Sequence, residues 1–211
     1  MAAEDHISLS FNILHPQPLL IVISGPSGVG KDAVIGELKQ RSLPLHVLVT
    51  MTSREPREKE VNGVDYIFVK KQEFLDKVER GEMIEHAVVY QDLKGIPRDQ
   101  VKRAMESGKD VVLRVDVQGA ARLRALFPEA VLIFLVPTNQ KEWYQRLKSR
   151  NTETAESLQL RLKTAAHELE QVSIFDYVVV NTQDFLCEAV DTIVDIIEAE
   201  HHRVNHRRLE I

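Results

Sequence analysis

The stretch Ile21-Val22-Ile23-Ser24-Gly25-Pro26-Ser27-Gly28-Val29-Gly30-Lys31-Asp32 most restricts what this chain can fold into. An apolar run turns abruptly into glycines and a lysine, and a helical pattern begins at once. A strand that ends in a glycine-rich loop points successive backbone N–H groups inward, and the helix behind it adds the positive end of its dipole. Such a loop is a cradle for phosphate. Gly25, Gly30 and Lys31 fit the spacing G-x-x-x-x-G-K, in which the glycines permit close approach and the lysine reaches the terminal phosphates of a nucleoside triphosphate. Only the next position departs, because Asp32 stands where a serine or threonine commonly ligates Mg²⁺. As a hard-oxygen carboxylate Asp32 suits Mg²⁺, and as an acid in the first turn of a helix it suits the dipole nearly as well.

With 211 residues and 44% hydrophobic content, the chain can bury a sizeable core as one domain with small inserted lobes. Its net charge of −5 supplies no overall basic footprint, so no nucleic acid is expected as a partner. The lone cysteine, Cys187, excludes an intrachain disulfide, no Cys/His spacing resembles a structural zinc site, and both suit a reducing compartment such as the cytoplasm. No apolar run approaches the ~20 residues of a membrane span. The N-terminus lacks the basic-then-apolar layout of a secretory signal, and residues 1–18 are expected to form a short leader.

Residues 19–23 read as a strand buried on both faces, and 31–41 as a helix carrying Ala33, Val34 and Leu38 at helical spacing. Residues 46–50 read as a second strand. From Met51 the chain becomes highly charged as far as Asn62-Gly63, which marks a tight turn. Strand-like segments at 66–69 and 83–90 flank a helix at 72–79, so about 52–96 forms a small lobe inserted between core segments 19–51 and 97–200. In the second core segment, Pro97 opens a helix through 107, strands follow at 111–115 and 131–136 with a helix between them, and a further helix covers 141–150. Leu158, Leu162, Ala165, Leu169 and Val172 mark the next helix, ahead of a strand at 176–181, a final helix at 185–200 and a solvated polar tail at 201–211. Strands and helices alternating at such short intervals imply an α/β fold: a parallel sheet with helices on both faces. Nucleotide sites in such folds lie at the carboxyl ends of the strands, which is where the glycine loop falls.

Arginines gather in two places: Arg54 and Arg57 before the Asn-Gly turn, and Arg146 with Arg150, which leave one helix face at i, i+4 and can be met by Arg161 from the next helix. Phosphoryl transfer is mostly positioning plus neutralisation of charge by Lys, Arg and Mg²⁺. The polar-flanked segment of about 146–165 therefore reads as a helical lid that closes over the phosphates and excludes water.

The ordered series Gly25-Pro26-Ser27-Gly28-Val29-Gly30-Lys31, Thr52-Ser53-Arg54-Glu55-Pro56-Arg57, Val61-Asn62-Gly63-Val64-Asp65-Tyr66, Ile84-Glu85, Asp116-Val117-Gln118-Gly119, Arg146-Leu147 to Arg150, and Thr152-Glu153-Thr154 resembles the guanylate kinases, from about Leu19 to Ile197. The resemblance implies a P-loop NTPase-type fold, ATP and GMP as small-molecule substrates, and Mg²⁺ accompanying ATP. By position it assigns the ATP phosphates to residues 25–32 and the adenine to Asn181. Arg54, Arg57 and Tyr66 fall on the GMP phosphate, and Thr50, Glu85 and Asp116 on the guanine. Lys31, Arg146, Arg150 and Arg161 form the charge-neutralising, catalytic set.

Three departures accompany the resemblance. Lys94-Gly95-Ile96 stands where many members have Tyr-Gly-Ser or Tyr-Gly-Thr, so Lys94 is expected to contact the GMP phosphate by charge. Arg114 stands where the family commonly carries an acid, and Asp32 ends the loop. Together they resemble the guanylate kinases of plant organelles and some bacteria, which makes a plastid or mitochondrion the alternative compartment if a transit segment has been removed. Catalytically silent guanylate-kinase-like binding modules and kinases of another phosphorylated substrate share the general pattern. The intact loop argues against the first, and Glu85 with Asp116 against the second. Whether the chain is a monomer or a homodimer is not legible in the sequence.

Overall fold

A computed structural model describes residues 15–58, 60–89, 92–148 and 155–209. Residues 1–14 of the expected leader, Arg150, and Thr152-Glu153-Thr154 lie outside the described residues. In chain order the elements are β1 (Leu20–Ser24), α1 (Lys31–Gln40), β2 (Leu45–Val47), β3 (Met51–Thr52), β4 (Ile67–Phe68), α2 (Lys71–Glu79), β5 (Met83–Val89), β6 (Asp92–Pro97) and α3 (Arg98–Glu106). They continue as β7 (Asp110–Arg114), α4 (Val117–Leu126), β8 (Val131–Val136), α5 (Gln140–Lys148), α6 (Ala155–Glu170), β9 (Tyr177–Val180) and α7 (Leu186–His201).

The core sheet runs β2-β7-β1-β8-β9, and every neighbouring pair is parallel. β1 reads Leu-Ile-Val-Ile-Ser and is buried along its whole length because it is central and covered on both faces. Alternate residues serve opposite cores: Ile21 and Ile23 pack with Val34 and Leu38 of α1 and Val190 and Ile193 of α7, while Leu20 and Val22 pack with Val101 of α3 and Leu123 of α4. At about 1.5–3 kcal/mol for each large apolar side chain removed from water, this strand is among the most stabilising five residues of the chain.

The second sheet, β4-β3-β6-β5, builds the inserted lobe around Met51, Phe74, Met83 and Leu93. Two expectations change here. The strand expected over 46–50 is two: 45–47 joins the core sheet, and after a crossing at 48–50 the chain enters the lobe sheet at β3. β6 was not expected at all, because Asp, Lys, Gly and Pro disfavour strands locally; antiparallel pairing with β5 overrides that preference. In α6, Leu162 and Ala165 face the core while Arg161, Thr164 and Glu168 face the cavity described below; Leu169 is exposed, and Val172, expected in the same helix, lies beyond its end in a 3₁₀ turn and is exposed too.

The tail is also not simply solvated. Arg207 is buried and donates through Nε and Nη2 to Glu200 at 2.7 and 3.0 Å; Glu200 accepts further from Tyr177 Oη at 2.6 Å and Arg203 at 3.1 Å. Burial alone would push the Glu200 carboxyl up, but these donors outweigh it and hold it at about 2, against an ordinary value near 4.5. A depressed carboxylate contributes stability that is present above its unfolded pKa and lost as pH falls through its folded one. Glu200→Gln, which leaves Arg207 buried against a neutral partner, is expected to cost about 3 kcal/mol at neutral pH in chemical denaturation. The gap between variant and wild type should narrow as pH drops from 4.5 toward 2; a constant gap would show that the ionised carboxylate is not its source.

Candidate nucleotide site

The glycine loop joins β1 to α1 at the carboxyl edge of the core sheet. Gly25 and Gly30 have φ of 133° and 95°, and a Cβ would strike the Leu135 carbonyl at the first and the Asn181 amide at the second. Neither position accepts another residue without strain. The loop is held from outside by Trp143 Nε1 on Ser27 O (2.8 Å), Asn181 Nδ2 on Val29 O (2.8 Å) and Arg146 Nη1 on Val29 O (3.2 Å). Lys31 folds back on the loop, its Nζ donating to Gly25 O at 2.5 Å and Pro26 O at 3.0 Å. Burial pulls the Lys31 amine below its usual range, and Glu168 of α6 pulls it back up; burial pushes the Glu168 carboxyl above its usual range.

Facing the loop is a cavity of about 390 Å³ between the core sheet and the inserted lobe. It brings together Gly25, Ser27, Gly28, Gly30, Lys31, Asp32, Thr50, Arg54, Arg57, Tyr66, Glu85, Lys94, Asp116 and Arg161, nearly all the residues expected from the sequence. Arg161 donates to Ser27 Oγ at 2.5 Å, which ties α6 to the loop.

Pro26, Val29, Asn181 and Arg146 do not line it. Asn181, expected at the adenine, is buried beneath the loop and donates through Nδ2 to Val29 O. Arg146 braces the same loop, bonding Glu142 Oε1 at 2.5 Å and Asn181 O at 2.7 Å. Arg146 thus braces the loop from the α5 side, and Arg150, expected beside it, lies outside the described residues.

At the other end lie two carboxylates. Glu85 sits on β5 where the register with β6 shifts between Met83 and Glu85, and the irregularity lets the consecutive Ile84 and Glu85 both be buried. Asp116 is the N-cap of α4 and accepts from Gly119 N–H at 2.7 Å. Glu85 Oε1 and Asp116 Oδ1 each lie 3.3 Å from where a Gly119 Cβ would be, so the absence of a side chain there lets them converge. Burial pushes the Glu85 carboxyl up, and Arg122, ion-paired with it, acts in the opposite direction.

On the lobe side, Arg54 Nη2 donates to both carboxylate oxygens of Glu60 at 2.8 Å each. Three cations surround the Tyr66 ring: Arg54, Lys94 and Arg114 at 5.4, 5.5 and 4.8 Å from its centroid. Arg114 also pairs with Asp32, so two of the three departures from the family pattern meet in one ion pair. Sequence reasoning missed Glu60, Arg122, Glu168 and the loop-bracing Trp143. The mixed charges of 54–60 hinted at Glu60, but Arg122 meets Glu85 from 37 residues away with no local signal.

A glycine-rich phosphate loop at the edge of a parallel sheet, opposite a lobe bearing arginines and a tyrosine, is the architecture of P-loop nucleotide-binding phosphotransferases. The comparisons narrow the class: the family model described as Guanylate kinase matches residues 17–200. "Guanylate kinase 2, chloroplastic/mitochondrial" of Oryza sativa subsp. japonica is 49% identical over 197 residues, covering 93% of this chain and 69% of the rice protein. The guanylate kinase of Clostridium tetani is 43% identical over 187 residues, 89% of this chain and 88% of that one. The crystal structure of guanylate kinase from Anaplasma phagocytophilum superposes with a TM-score of 0.74 at 32% identity, covering 90% of this chain and 89% of that one. The chain belongs to the guanylate kinase family.

Proposed function

We propose that the chain carries out the reaction of its family, transfer of the γ-phosphate of ATP to GMP to give ADP and GDP, with the following division of labour. The carrying observation is the convergence of Glu85 and Asp116 in the cavity that also receives the glycine loop. Guanine presents N1–H and N2–H₂ donors, which an acidic pair accepts, and an O6 acceptor, which the Thr50 hydroxyl can meet. Adenine would turn an acceptor toward Glu85, and a buried polar group left unpaired is a strong means of rejection.

Arg57, Lys94, Tyr66 and Arg54 grip the GMP phosphate, Arg54 exchanging Glu60 for it. The loop N–H groups and Lys31 hold the ATP phosphates, and Arg161 reaches them from α6. A GMP phosphate oxygen then attacks the γ-phosphorus in line while the bond to the β-phosphate oxygen breaks, and the residues supply position and positive charge. An exposed single carboxylate next to the loop lysine fits Mg²⁺, which commonly takes one or two carboxylates plus substrate phosphates. Asp32 is the residue that would hold it, and the ion when bound neutralises phosphate charge.

A silent binding module is not favoured, since Lys31 and the strained glycines are retained. The test is ADP release in a coupled assay with ATP and Mg²⁺, comparing GMP with AMP, CMP and UMP. Release with GMP alone is expected; no release from the folded protein would overturn the proposal.

A further inference from the structure

Arg114 ends β7, and its guanidinium stands between two parts of the site that the chain brings together from far apart. On one side it pairs with Asp32, next to Lys31 in the first turn of α1; on the other it covers the Tyr66 ring of the inserted lobe, 4.8 Å from the centroid. Its side chain is only 17% exposed, while the Asp32 carboxylate that pairs with it is 67% exposed. The bond to Asp32 uses Nη1. Among the described residues no other acceptor receives a hydrogen bond from its five N–H donors, and Arg114 lines the cavity.

A desolvated guanidinium with one solvated partner is undercompensated. Here the deficit is made larger by Lys94, which shares the same ring, and by Lys31, whose amine feels the Arg114 charge. Arg54, the third cation over Tyr66, is already neutralised by Glu60. A doubly charged phosphate seated against Tyr66 would therefore meet Lys94 and Arg114 as the cations in greatest need of an anion.

We propose that Arg114 contacts substrate: its guanidinium binds the phosphate of the nucleoside monophosphate and stays with the phosphoryl group as it crosses from the loop side, while Asp32 holds the guanidinium in place between substrates. Arginine suits this position because it remains charged when desolvated and its planar fork can serve two phosphate oxygens at once. The assignment rests on the placing of the GMP phosphate beside Tyr66.

The experiment is calorimetric titration of GMP without metal, together with steady-state kinetics, on wild type, Arg114→Met and Arg114→Lys. Arg114→Met should weaken GMP binding about 30-fold and lower kcat by about 10²-fold or more. The KM for ATP should change much less than that for GMP, and the melting temperature should stay near wild type. Arg114→Lys should recover part of the GMP affinity, because the charge is restored without the fork. Unchanged GMP affinity in Arg114→Met, or equal losses for ATP and GMP with a lowered melting temperature, would overturn the assignment. Failure of the wild-type protein itself to bind GMP would instead overturn the reading of the phosphate site on which it rests.

Discussion

Lys31→Ala is expected to lower turnover by about 10³-fold, the scale seen when a preorganised charge-stabilising donor is removed from a transition state. The amine is the only lysine charge on the loop itself, and it lies on Gly25 O and Pro26 O, a short swing from any phosphate the loop would hold. Alanine loses those two hydrogen bonds as well, which costs about 1–3 kcal/mol, a minor share of a domain's 5–15 kcal/mol. Turnover should therefore collapse while the melting temperature moves little. Lys31→Arg should not restore activity, because Gly28 and Gly30 leave room for backbone approach to phosphate rather than for a broad guanidinium. Steady-state kinetics beside a thermal melt tests this, and near-normal turnover in the alanine variant would remove Lys31 from the chemistry.

Glu85→Gln is expected to reduce kcat/KM for GMP by about 10²–10³-fold while leaving the KM for ATP within about threefold. The carboxylate is buried, which pushes it up, and Arg122 acts in the opposite direction. The isosteric amide loses one acceptor and turns an NH₂ toward a base edge that is itself all donors at N1 and N2. Arg122 is 40% exposed and can turn to water, so the fold should tolerate the change. Equal losses for both nucleotides would count against a guanine-reading role.

Much of this architecture was legible because burial on both faces forces long apolar runs. β1, β7 and β8 sit near their expected bounds for that reason, the edge strand β9 was legible from its run of valines although Val178 and Val180 are exposed, and α1 and α7 followed from helical spacing. The glycine loop was legible because its backbone conformation is one that few residues can adopt. β6 was not, because its stability comes from β5 and β3 rather than from Asp92-Leu93-Lys94-Gly95-Ile96-Pro97 itself.

The site divides along the same line. Residues tied to backbone strain or to a continuous motif were found, whereas partners that meet only after folding were not, as with Arg122 on Glu85. Arg146 and Asn181 add a contact that spacing did not suggest, since both hold the Val29 carbonyl of the loop.

The way Trp143, Asn181 and Arg146 grip the carbonyls of Ser27 and Val29 has a thermodynamic consequence. Fixing a residue's backbone costs roughly 1–2 kcal/mol in conformational entropy, and a floppy glycine loop would have to meet that cost each time a nucleotide arrived. Here folding has already met it, through side chains from α5 and from the end of β9 that hold the loop from outside. Nucleotide binding can then draw on nearly the whole of its phosphate contacts, and a loosening of α5 or of the chain around Asn181 would be felt as weaker ATP binding even with every loop residue intact.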